Sequence, residues 1–255
     1  MRACQLPTRV RAALSGRLHS RVAVWSGRVA QVLANQLQAS HAVPHRELAL
    51  RMARAVGMGQ SQQTALGDIV DLLQTAIDLA DNLADREEDV AAGRAQARSY
   101  PGVPSAALYC LPALLVGTAA AILYETFGRP KYQVDRAWGR LLETLGQMTV
   151  GQGLPTGHRR HLDLVSGQQG VLLCLPFWLV SHRPPWDRRL RVIERWAFLY
   201  GRTWEYHQRL LESGTSLAAR DFDRAVARAR AAWPEFEPFG TEDLSARALI
   251  PAGLC

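Results

Sequence analysis

The sequence predicts an all-α protein. Apolar residues recur at the three-to-four spacing of helices along nearly the whole chain. The breaks between periodic runs carry helix-stop residues: Gly57, YPGVP at 100–104, FGRP at 127–130, GQGLPTG at 151–157, RPP at 183–185 and SGTS at 213–216. No hairpin signal and no alternating β-branched run competes with this pattern.

The helices are expected at 10–38, 46–57, 61–89, 104–126, 134–151, 160–181, 187–213 and 219–232, with ends uncertain by a few residues. The first rests on Leu14, Leu18, Val22, Trp25, Val29 and Leu33, which line up at helical spacing, with arginines on the opposite, wet face. An acid-free start rich in Arg and Ser also fits a transit peptide, but the spacing favours an amphipathic helix within residues 1–40. Residues 99–124 and 164–181 hold no charged side chain and are long enough to cross a bilayer. Three prolines and many alanines interrupt the first, and Ser166, Gln168 and Gln169 the second. Both therefore read as central helices covered by neighbours on every side, with no integral membrane span. Residues 216–255 form a last helix and a tail. No linker divides the 255 residues, so one large domain over 1–255 is expected.

Charge is unevenly placed. No acidic residue precedes Glu47, while seven arginines do, and the formal net charge of the whole chain is +7. From Glu47 onward the chain is balanced, which argues against a nucleic-acid partner held by a basic face on the main body. Lys131 is the single lysine. Cys4, Cys110, Cys174 and Cys255 form no CxxC pair, so zinc and redox motifs are absent. Cys110 and Cys174 lie in apolar stretches and read as buried thiols, which fits a reducing, cytoplasmic location.

The feature that demands an explanation is DLADNLADREED at 78–89, where Asp78, Asp81, Asp85, Glu87, Glu88 and Asp89 crowd together beside an almost uncharged LLQTAI. On a helix, Asp71, Asp78, Asp85 and Asp89 fall along one line, with Asp81 about 60° to one side of Asp78. Leu72, Leu73, Ala76, Leu79, Ala80 and Leu83 occupy much of the remaining surface. Stacked carboxylates repel, and burying them without partners is costly. Water or arginine relieves that, with Arg86 a local candidate; so does a divalent cation. Mg2+ is commonly held by one or two carboxylates together with a substrate's phosphates. Asp81 and Asp85, one turn apart, present that arrangement, and a solvated acidic helix end is the plainer alternative.

Four stretches resemble the trans-polyprenyl synthase family. QTAIDLADNLAD at 74–85 is similar to its first aspartate-rich region, with Thr75 and Ala76 on the family's Thr-Ala and Asp81, Asn82 and Asp85 on its three aspartates. GQGLPTG resembles the family's Gly-Gln turn through Gly151 and Gln152. HLDLVSGQQGVLL at 161–173 is similar to the helix that follows, through Leu162 and Gly170. YGRTWEYHQRLLES at 200–213 stands where the family has its second aspartate-rich region. Their order and spacing agree over residues 45–215.

The resemblance implies an isoprenoid synthase fold, one helical bundle around a central apolar cavity. It implies a prenyl diphosphate ligand, Mg2+ as cofactor, and a homodimer or a heterodimer with a prenyl synthase. Its metal ligands map to Asp81, Asp85 and Glu212. Gln74, Asp78, Asn82, Arg94, Arg98, Gln152, Glu205 and Gln208 fall where that family contacts its substrate.

The departures fall on the chemistry. Gln208, Arg209 and Glu212 stand for three aspartates, and Asn82 for the middle one of the first region. SHAVPHR at 40–46 replaces a lysine-bearing segment, Gln168 another lysine, and Ala91 and Ala92 a pair of arginines. Catalysis in this family is ionisation, in which metals and basic groups stabilise a departing diphosphate while a carbocation lives in a dry cavity. Losing one carboxylate cluster and the lysines weakens both electrostatic contributions. The expected function is thus a divergent relative that transfers or ionises an allylic diphosphate, or a non-catalytic relative serving as a binding or regulatory subunit; a chance match on an unrelated bundle is the third possibility.

Overall fold

The computed structural model describes residues 45–91, 105–128, 130–154, 161, 164, 167–181 and 186–232. Within them stand seven helices and no strand, as the sequence predicts: α1 His45–Ala55, α2 Gln60–Ala91, α3 Ser105–Phe127, α4 Lys131–Gln152, α5 Gly167–Val180, α6 Trp186–Ser213 and α7 Ser216–Ala232. The expected first helix at 10–38 and the C-terminal tail lie outside the described residues, as does most of 155–166.

The stops act as their residue types dictate. Gly57 adopts φ 75°, a backbone state that side-chain-bearing residues avoid. Around it the Gly57 N–H donates to Arg54 O at 3.0 Å and the Met58 N–H to Ala53 O at 2.9 Å. This double closure satisfies carbonyls at the end of α1, and the buried Met58 seals the turn. Gly214, at φ 60°, ends α6 through a single bond from its N–H to Leu210 O at 2.9 Å. The next residue, Thr215, begins α7 by accepting the Ala218 N–H on Oγ1 at 3.2 Å. Pro130 opens α4 with extended backbone, where its missing N–H costs nothing.

The described helices form two compact units. The first contains the opening turn of α1, α2 and nearly all of α3. Its core includes Ala65, Leu66, Ile69, Val70, Leu73 and Leu79 of α2 and Leu115, Ala119 and Leu123 of α3. From Tyr109 to Phe127, α3 has the length and composition to cross a bilayer. One stripe, Leu111, Leu115, Ala119, Ile122 and Leu123, is buried in the protein. Cys110, expected inside, is exposed on α3. A charge-free run has no internal periodicity to reveal which face turns outward, and Cys110 shares its exposure with its neighbour Tyr109.

The second unit contains the rest of α1 and α4–α7; in it α5 packs on α4 and α6, and α7 packs on α6. The described stretch of α5 from Leu172 to Val180 is buried on all sides, which accounts for its lack of charge. Gly170 lets α5 approach α6 closely: a Cβ there would lie 2.6 Å from Ala197 O. Trp178, Trp196 and Trp204 are all buried.

Candidate functional site

The acidic stripe lies on α2 in the first unit. Its N-terminal part is bound to arginine. Arg46 extends from the first turn of α1 and donates to Asp68 at 3.4 Å and also to Asp71. Asp68 is buried, so a charged partner is what makes its ionised form tolerable there. Gly67 makes room for the arginine: a Cβ at that position would stand 2.8 Å from Arg46 Cζ and Nη2. Thr75, matched to the family threonine, donates its hydroxyl to Asp71 O at 2.6 Å and so caps a backbone carbonyl one turn back.

One turn beyond Asp71, Gln74 is buried and donates Nε2 to Asp78 Oδ1 at 2.7 Å. Its other polar atom, Oε1, is buried with no hydrogen-bond partner among the described residues. An amide fixed by its nitrogen, with its oxygen left over, is a ready acceptor for a hydrogen-bond donor or a hard cation. Asp78 is half-buried and Asp81 is exposed. The stripe therefore grades from an arginine-held pair, one buried and one half-buried, through an oriented amide and carboxylate, to an exposed carboxylate. Oxygen donors of this kind suit Mg2+.

The sequence-predicted residues are brought together only in part. Gln74 and Asp78 touch, and Asp81 follows one turn later on the same helix. Asn82 and Asp85 lie on α2, but their side chains are outside the described residues, as are Arg94 and Arg98 altogether. In the second unit, Glu205 on α6 accepts from Arg209 Nε at 3.4 Å, a pair one turn apart. The side chains of Gln152, Gln208 and Glu212 are outside the described set. Among the described residues, no three His, Cys, Asp or Glu side chains gather closely enough to hold a metal by themselves.

Two polar arrangements escaped sequence reasoning. The first is the Arg46–Asp68–Asp71 cluster; the i, i+3 pair of aspartates with a buried-face register was the available signal. The second is in the other unit, where Arg140 of α4 donates to Glu194 of α6, 54 residues away. Glu194 Oε1 also accepts Trp178 Nε1 at 2.8 Å. No local pattern links these three positions. His161 is buried, with Nδ1 2.9 Å from Gly151 O. No protein-family model matches the chain, and no curated protein is detectably similar to it.

Proposed function

We propose that the chain is a divergent polyprenyl synthetase-like protein that binds an allylic prenyl diphosphate with Mg2+ at the acidic stripe of α2. The observation that carries this reading is the buried Gln74 amide, which orients Asp78 and leaves Oε1 as an unused acceptor beside it. Arg46 holds Asp68 and Asp71; the resemblance assigns Asp81 and Asp85, with Glu212, to the cation and Asp78 to the substrate. Bound there, Mg2+ would neutralise a diphosphate and help it depart. Asp81 and Asp85 would hold the ion, and Gln74 would fix the direction of the Asp78 carboxylate beside it.

A non-catalytic relative, acting as a ligand-binding or regulatory subunit of a prenyl synthase, is the second reading. The Glu205–Arg209 pair favours it: a guanidinium stands beside a carboxylate that falls where the family contacts its substrate. The test is to incubate the protein with Mg2+ and C10, C15 or C20 allylic diphosphates, with and without isopentenyl diphosphate. Diphosphate release and its products are measured, together with thermal stabilisation. Release supports catalysis. Mg2+-dependent stabilisation without release supports the binding subunit. Stabilisation unchanged in Asp81→Asn/Asp85→Asn, or absent throughout, removes the stripe as the site.

A further inference from the structure

A second candidate site lies in the second unit, and none of its lining residues is among those assigned above to the metal or the diphosphate. α4, α5 and α6 enclose a cleft of about 410 Å³, within the range that takes small molecules. Leu164, Gly170, Cys174, Trp178, Ala197 and Phe198 supply the apolar part of its lining. Its polar groups come from Arg140, Glu143, Thr144 and Gln147 of α4 and Glu194 of α6.

Arg140 is held from two sides. One terminal nitrogen donates to Glu194, and the guanidinium carbon lies 6.0 Å from the centre of the Trp178 ring. Trp178 in turn fixes Glu194 through its indole N–H. Among the described residues, the remaining N–H groups of Arg140 have no protein acceptor, although the side chain is only 31% exposed. A guanidinium already immobilised loses little freedom when it meets a ligand, and its open N–H edge matches a carboxylate.

Charge narrows the ligand further. Glu143 is exposed at the cleft mouth, and Arg136, one turn before Arg140, is exposed within electrostatic reach of it. Arg136, Arg140, Glu143 and Glu194 balance one another. A single negative charge fits beside them, whereas a dianion would meet two carboxylates. We propose that this cleft binds a small monocarboxylate with an apolar body, its head on Arg140 and its body against Leu164, Trp178 and Phe198.

Calorimetric titration of the full chain with 4-phenylbutyrate and with octanoate tests this. The expected result is saturable one-to-one binding with Kd on the order of 1 mM or tighter, as ligands of that size allow. Arg140→Lys keeps a charge for Glu194 but loses the planar edge, and weakens binding at least about tenfold. Phe198→Ala leaves the charges untouched and weakens binding about threefold or more through lost apolar contact; it serves should the arginine variant fail to fold. Phenethylamine and inorganic diphosphate do not compete. Absence of saturable binding, affinity unchanged in both variants, or displacement by diphosphate overturns the proposal.

Discussion

The guanidinium of Arg46 rests against the bare α-carbon of Gly67, so closely that a Cβ would lie 2.8 Å from its carbon. The glycine thus decides where the arginine goes, and the arginine holds Asp68 and Asp71. In Gly67→Ala two effects oppose. Alanine favours the helix by about 1 kcal/mol. Displacing Arg46 weakens its charged contacts to a buried and a half-buried aspartate, worth about 1.5–3 kcal/mol each. The second wins, and a net loss of about 1–3 kcal/mol is expected in chemical denaturation. A variant as stable as the parent would show that Arg46 re-forms its contacts elsewhere.

Gly170 presents a harder obstacle. The atom facing it is the backbone oxygen of Ala197, at 2.6 Å from a Cβ, and backbone cannot swing aside as a side-chain end can. Gly170→Ala must separate α5 from α6, at a cost of about 1–3 kcal/mol or more. It should destabilise more than Gly67→Ala in the same denaturation series, because the displaced atoms carry two helices with them.

Alkaline stability is set in part by Cys174. Complete burial pushes its thiol from an ordinary 9.0 up to about 12. The folded state therefore keeps the thiol neutral where the unfolded chain ionises it. Stability is full below pH 9 and falls as pH rises from 9 towards 12. Each pH unit inside that window removes about 1.4 kcal/mol. Tyr200, also held neutral by burial, adds to the loss at higher pH. Cys174→Ala should flatten the dependence between pH 9 and 10, measured by urea unfolding. An unchanged slope there would assign the effect to other groups.

At the acid end His207 acts in the opposite sense. Burial lowers its pKa below the usual 6.5, and its ring lies between Trp204 and Phe222, 6.5 and 5.4 Å away by ring centres. Its Nδ1 is buried without a hydrogen-bond partner. The neutral ring is favoured in the fold, so its contribution is present above pH 6.5 and is lost as pH falls through the lowered folded value. His207→Phe should weaken the loss of stability between pH 7 and 5, followed by thermal unfolding. Equal slopes in parent and variant would place acid sensitivity elsewhere.

Much of the molecule was legible from the residue order. Seven expected helices from 46 to 232 correspond to α1–α7, with ends displaced by at most three residues except at α5, whose described start is Gly167. The stops at Gly57 and Gly214 follow from the one residue that accepts positive φ at no steric cost. The line of acidic residues on α2 follows from helical spacing alone. These features are local: a helix is closed by bonds four residues apart, and its ends by residues within one turn.

Tertiary structure decided the rest. Spacing placed Asp71 and Asp78 on one line and Gln74 one turn from Asp78, but only packing gave Asp71 an arginine from another helix and buried Gln74. It put Cys110 outside and Cys174 inside, although both stand in apolar runs. It joined Arg140 to Glu194 across 54 residues and closed a cleft over them. Burial and pairing of charges depend on which surfaces meet. That is fixed by the summed packing of whole helices, and no window of sequence a few turns long contains it.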